Sequence, residues 1–203
     1  FIKAVRAWRD AMKNPELAVI TVQLNRMFGA ANADADTGWD VVREAQRQVA
    51  RKLNGVAVAP TFDLSLADGI HISSPANLLL AERLARAALG MVHGRPVDWK
   101  APDLKAAKRS ADAKEVELTF DNVTSRMECI DPTANAFRVE DADGVVPVEK
   151  VVYSQSSSVK LALARPLKGK AVVHGAHGFN PAMVPMDMER FMPMLGFRGA
   201  AVE

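Results

Sequence analysis

The sequence predicts an α/β fold built on a parallel sheet, followed by a small all-β domain. Two continuous apolar runs of strand length, Leu17 to Leu24 and Val56 to Phe62, alternate with segments whose apolar residues recur at helical spacing. After a stretch from His93 to Lys114 broken by Gly94, Pro96 and Pro102, the pattern changes to short β-rich segments separated by turn residues.

Phe1, Val5, Trp8 and Met12 share one helix face, and Asn14-Pro15 ends that helix because a proline ring cannot continue it. The run Leu-Ala-Val-Ile-Thr-Val-Gln-Leu that follows has the pattern of a strand covered on both faces. Beyond a polar loop holding Asn32, Asp34 and Asp36, Thr37 with Asp40 three residues later resembles a capping box. Val42, Ala45, Val49 and Leu53 then mark a helix face that Asn54-Gly55 stops. The second strand leads into a loop from Asp63 to Ser74. Pro75 suits the first turn of the next helix, with Leu80, Leu84 and Ala88 on its apolar face and Gly90 at its end. His93 beside Gly94 fits a helix C-terminus, where the dipole favours a cation. Helix, strand, helix, strand, helix is the second half of a layered α/β fold. Two strands are too few for a stable sheet, so a segment before Phe1 is expected to carry the others.

Residues 1–93 are thus expected to form part of the α/β domain, 94–114 a surface linker, and 115–203 a β-sandwich-like domain. Its predicted strands are Val116 to Phe120, Phe137 to Val139, Val145 to Val152, Val159 to Ala164 and Ala171 to His174, with a turn at Asp143-Gly144. The tail Asn180 to Phe197, rich in Met and Pro, has no clean period. Its methionines Met183 to Met194 are expected to fill gaps against the core.

Composition narrows the function classes. No apolar run approaches the ~20 residues that span a bilayer. The net charge is +2, and the basic residues are scattered. Arg43, Arg47, Arg51 and Lys52 read as a solvated helix face and Lys100 to Arg109 as a solvated linker, which argues against nucleic acid as a partner. The single cysteine, Cys129, excludes an internal disulfide.

In open α/β sheets ligands bind where strand ends pass into helices. Asp68-Gly69-Ile70-His71 lies in such a loop. An aspartate three residues before a histidine can fold its carboxylate onto Nδ1 and leave Nε2 as a general base toward a hydroxyl nucleophile. Such spacing is common and most loop histidines are merely solvated; the position at a strand end distinguishes this pair. Gln23, at the same sheet edge, either lines the site and binds substrate or bonds loop backbone. Arg43 and Gln46 read as surface residues of an amphipathic helix. Ser65, Ser73 and Ser74 lie near the pair, but none follows a strand as a nucleophile turn requires, and Ser73 or Ser74 fits the cap of the next helix. His174 and His177 have no accompanying cysteine or acidic ligand and read as a surface turn rather than a metal pair.

Asp68-Gly69-Ile70-His71, followed by Asn77 and Glu82-Arg83-Leu84-Ala85, resembles the last conserved block of SGNH hydrolases. Trp8-Arg9, the strand end Val22-Gln23-Leu24 and Trp39-x-x-x-Arg43-Glu44-x-Gln46 resemble the sialate O-acetylesterase branch of carbohydrate acetylesterases. Leu118-Thr-Phe-Asp-Asn122 and Asn180-Pro181 look like the accessory β domain of that branch. The resemblance implies the C-terminal half of a three-layer, flavodoxin-like SGNH hydrolase domain, followed by an accessory domain. It implies a serine esterase that removes O-acetyl groups from carbohydrates of the sialic acid or hemicellulose type, with Asp68 and His71 as catalytic triad members and no metal or organic cofactor. The serine of a Gly-x-Ser block and the oxyanion donors near a Gln-Gly-Glu block are not among these 203 residues. A preceding segment or a separate chain is expected to supply them. The resemblance also implies a periplasmic or secreted protein. Ile72-Ser-Ser-Pro75 separates His71 from Asn77 by more than in many relatives, which bears on loop shape. Two other readings are a carbohydrate-binding or scaffold protein that keeps the fold without activity, and an SGNH lipase or thioesterase.

Overall fold

The structure, a computed structural model, describes residues 1–29, 38–181 and 183–203. Helix α1 (Ile2–Ala11) forms where the apolar spacing predicts it and buries Val5. Arg9 on this helix donates to the carbonyls of Leu17 at 3.1 Å and Asn54 at 2.7 Å, tying the helix to the approaches of both strands. Strands β1 (Val19–Val22) and β2 (Val56–Ala59) pair in parallel, with Val19 opposite Val56. Strand β1 is shorter than its apolar run because Leu24 turns its N–H to the Gln46 side chain at 2.8 Å. Gln46 in turn donates to the Val22 carbonyl. It is therefore a bracket on the strand end rather than a solvated surface residue.

Helix α2 (Gly38–Lys52) lies between the strands. The predicted polar loop Asn32 to Asp36 and the Thr37 cap fall outside the described residues. The expected apolar face is corrected: Val42 and Ala45 are exposed, while Asp40, Arg43, Arg47 and Val49 are buried. The expected solvated basic face holds for Arg51 and Lys52 but not for Arg43 and Arg47. These two are buried because residues after position 100 pack on α2 and supply their acceptors. Gly55, at φ +69°, ends the helix in the left-handed conformation that glycine adopts without strain.

Helix α3 (Ser74–Ala87) starts as read, with Pro75 in its first turn and the Ser73 hydroxyl accepting the Ala76 N–H. Gly90 does not close it. The chain passes into a π-helical turn, Ala88–Val92. A Cβ on Gly90 would stand 2.0 Å from Trp99 Cδ1, so this glycine admits the indole.

The remaining strands are β3 (Asp103–Arg109), β4 (Glu115–Asp121), β5 (Met127–Glu128), β6 (Phe137–Asp141), β7 (Gly144–Val146), β8 (Val148–Tyr153), β9 (Ser158–Leu163), β10 (Ala171–Gly175), β11 (Met186–Asp187), β12 (Met192–Pro193) and β13 (Phe197–Val202). They form the sheets β3-β4-β9-β8 and β13-β10-β6-β7, with a small sheet β12-β11-β5, all antiparallel. Three expectations change here. Residues 103–109 of the expected linker are strand β3. The predicted strand Val145 to Val152 is split into β7 and β8 at Pro147, which has no N–H for a ladder. The tail expected to lack regular structure holds β11 and β12 and runs into β13.

Val116, Leu118, Val139, Val159, Leu161 and Val173 from the two larger sheets share one buried core with Met194 and Phe197. Phe62, just after β2, enters the same core. Val58 of β2 packs with Ala101, Met192 and Leu195. Arg47 bonds Asp103 and the Leu104 carbonyl. The α/β part and the β region are thus joined by shared apolar packing and ion pairs.

Asp187 illustrates how the short sheet is held. Its carboxylate is buried, which alone would raise its pKa, yet Thr124 and Arg190 outweigh this and hold it at about 2. A depressed carboxylate stabilises the fold above its unfolded pKa, and that contribution is lost as pH falls through the folded value. Asp187→Asn is therefore expected to lower stability at pH 7 by about 2 kcal/mol. The difference from wild type should fade between about pH 4 and pH 2, as urea melts across that range would show. A deficit still undiminished at the acid end would contradict the ionic origin.

Candidate active site

The loop after β2 folds back on itself before α3 begins. Ser73 N–H bonds the Ser65 carbonyl at 2.9 Å, Leu66 and Ile72 form a bridge, and Ala67 N–H bonds the His71 carbonyl at 2.8 Å. This places Asp68-Gly69-Ile70 at a tip. Asp68 Oδ1 accepts the N–H groups of Ile70 and His71, both at 2.8 Å, forming an Asx turn. Its Oδ2 lies 2.7 Å from His71 Nδ1. The backbone N–H groups of Ile70 and His71, and then the imidazole, hold the Asp68 carboxyl well below the usual carboxylate range.

An ionised carboxylate only accepts, so Nδ1 carries the ring proton and Nε2 presents its lone pair. No described residue bonds Nε2. The ring is 74% exposed and Asp68 56%. The arrangement suits an imidazole that takes a proton from a hydroxyl and later returns it, with Asp68 fixing the tautomer.

The structure brings Asp68 and His71 together and leaves Gln23 apart from them. Gln23 is 0% exposed. Its amide donates to the carbonyls of Arg43 at 3.0 Å and Gly196 at 2.8 Å, and accepts the Gly196 N–H at 2.8 Å. The expectation that it binds substrate is corrected: the side chain is spent on backbone of α2 and of the chain entering β13. Ser65 and Ser73 bond each other through their hydroxyls at 2.6 Å, and Ser73 caps α3. No described serine hydroxyl bonds His71.

His174 and His177 are also corrected. They are not a surface turn; both are largely buried, with rings 5.3 Å apart. Burial, followed by the neighbouring His177, lowers the His174 pKa. His177 Nδ1 stands 3.2 Å from Asp40 of α2.

The residues that hold the loop in place escape sequence reading. Arg26 Nη2 donates to the Leu64 carbonyl at 3.0 Å, and Phe28 N–H donates to the Gly69 carbonyl at 2.7 Å. Neither residue belongs to a motif, and their partners lie about forty positions away. A crevice of about 360 Å³ beside Arg47, Trp99 and Asp103 shares no residue with the loop. Among its charged groups, Arg47 and Arg51 both pair with Asp103.

A carboxylate-held imidazole on the loop after a parallel strand has the geometry to act as a general acid–base pair. Residues 1–90 match the model of the family described as "SASA: Carbohydrate esterase, sialic acid-specific acetylesterase". The match agrees with the resemblance read from the motifs: over this segment the chain is similar to sialate O-acetylesterase-like carbohydrate esterases. No curated protein matches the chain. Among solved structures it is similar to XAC1771, described as a novel carbohydrate acetylesterase from Xanthomonas citri, with a TM-score of 0.79 and 23% identity. That similarity covers 97% of this chain, β region included, and 44% of the solved one, so the chain spans less than half of that protein's length. The N-terminal part of the bacterial S-layer protein SbsC aligns only at a TM-score of 0.35 and 12% identity, over 64% of this chain and 28% of that one.

Proposed function

We propose that this chain supplies the acid–base half of a serine esterase that removes O-acetyl groups from carbohydrates. The observation that carries the reading is the Asp68–His71 couple, with Nε2 unengaged, inside the segment that matches the carbohydrate esterase family. His71 takes the proton of a serine as it attacks the acetyl carbonyl and delivers it to the departing sugar oxygen. It then activates the water that releases acetate. Asp68 holds the imidazole and steadies its charged form.

The serine comes from residues outside these 203, in a preceding segment or a separate chain. Support for this lies in the engaged hydroxyls of Ser65 and Ser73, and in β1, which pairs with β2 alone among the described strands. The exposed apolar residues Phe1, Trp8 and Met12 of the α1 region and Leu78 and Leu79 of α3 fit a third, covering layer of a flavodoxin-like sheet. The substrate is an O-acetylated sugar of the sialic acid or hemicellulose type, and the family resemblance favours a periplasmic or secreted site of action.

A fluorophosphonate probe tests the division of labour. In the complete protein it is expected to label one serine outside this chain and to abolish acetate release from O-acetylated sugars. Labelling of Ser65, Ser73 or Ser74 would place the nucleophile here. An absence of any labelled serine would favour a binding protein that keeps the fold.

A further inference from the structure

We infer that Arg26 is a positioning residue for the acid–base loop, and that through it the β region takes part in the site. The inference rests on the Asp68–His71 reading above. Apart from the bond that Phe28 makes to it, the tip of the loop is bonded to itself and exposed, so its internal bonds fix its shape but not its place on the sheet. Its place is set by the segment Arg26 to Phe28. Arg26 Nη2 holds the Leu64 carbonyl at the base of the loop, at 3.0 Å, and Phe28 N–H holds the Gly69 carbonyl beside Asp68, at 2.7 Å.

That segment is itself held from the far side. Arg26 Nη1 donates to Asn180 Oδ1 at 3.1 Å, and Met27 N–H donates to the Phe179 carbonyl at 2.8 Å. Both partners lie in the chain that follows β10. A single guanidinium therefore spans from the β region to the root of the acid–base loop, using the planar fork that lysine lacks.

The arrangement is a poor way to gain stability. Arg26 Nε is buried and has no partner among the described residues. Burial also lowers the guanidinium pKa against the attraction of Asp63. A desolvated cation with an unmet donor opposes folding. Its two remaining nitrogens are spent on locating the loop. Proton transfer needs Nε2 within hydrogen-bond reach of the hydroxyl, and a displacement of about 1 Å lowers such a rate by about 10²-fold.

Kinetics in the complete protein test this. Arg26→Ala is expected to lower kcat on p-nitrophenyl acetate by about 10- to 100-fold with KM within about twofold. Asn180→Ala, which leaves the guanidinium and removes its anchor, should give a smaller loss of the same kind and decides the matter if the arginine variant does not fold. Arg26→Lys should restore only part of the rate. The decisive reading is the double variant: in a His71→Ala background, Arg26→Ala should produce no further loss, because its effect acts through that imidazole. An equal loss in both backgrounds would show a general structural role and overturn the inference, as would unchanged kcat in Arg26→Ala and Asn180→Ala while His71→Ala is inactive. Full activity of His71→Ala would remove the reading beneath it and the positioning role together.

Discussion

His71→Ala is expected to lower kcat of the complete protein on p-nitrophenyl acetate by about 10⁴-fold or more, with the fold intact. The size follows from the task. In the proposed reaction, without an acceptor at Nε2 a serine hydroxyl stays protonated at neutral pH and the departing oxygen has no proton donor, so both steps of acyl transfer lose the same group. The intact fold follows from exposure. The ring makes one side-chain hydrogen bond, to Asp68, and is largely in water. Exposed substitutions of this kind shift stability by about 0.5 kcal/mol or less. Activity and melting temperature therefore separate, which distinguishes a reacting histidine from a structural one. Asp68→Asn should follow with a smaller loss, because the amide still bonds the ring but can favour the wrong tautomer. Turnover in His71→Ala within tenfold of wild type would sink the catalytic assignment.

Arg43→Ala is expected to give the largest loss of stability of any single change on α2, about 3–5 kcal/mol. Arg43 is 1% exposed and sits over the Phe62 ring at 5.0 Å. It donates to the carbonyls of Leu24 at 2.9 Å and Asn25 at 2.8 Å before α2, and to those of Ala176 at 3.2 Å and Gly178 at 2.5 Å after β10. Burial pulls its pKa down to about 10, with Asp40 acting against this, so it stays charged at neutral pH. Truncation would strand those carbonyls and leave buried Asp40 without its cation. At about 2–4 °C per kcal/mol for a chain of this size, the melting temperature should fall by about 10 °C. Arg43→Lys should recover little, since one ammonium cannot reach acceptors spread around a planar fork. A fall of less than about 3 °C in calorimetry would show that these contacts are dispensable.

These two residues mark what sequence reasoning could and could not reach. Asp68 and His71 were legible because their geometry is local. They lie three positions apart on one turn, and the alternation of apolar runs placed that turn at a strand end. The order of helices and strands through residue 92 was legible for the same reason, since period and caps act within a few residues. Arg43 and Arg47 were misread because a charged helix residue is solvated unless something distant covers it. Their acceptors at Ala176, Gly178 and Leu104 lie far along the chain. Gln23 was left between two roles, and Gly196 decided for the structural one.

Strand β3 hid in a Lys/Ala-rich stretch whose alternation is broken by the register shift between Leu104 and Ala106. Strand β13 hid behind Gly199 at φ +65° and a tail without period. In both cases the pairing partner, not the strand's own residues, makes the strand, because an antiparallel ladder is stabilised by cross-strand hydrogen bonds and packing. The sequence by itself determined the helix and strand order of the first 92 residues, the resemblance to carbohydrate esterases and the pairing of Asp68 with His71. Only the tertiary structure decided that buried arginines join that segment to the β region and that Arg26 bonds both Leu64 at the root of the loop and Asn180 after β10. Caps, turns and an Asx-held imidazole are short-range interactions written into neighbouring residues. Burial of a charge depends on acceptors that folding brings from more than a hundred positions away.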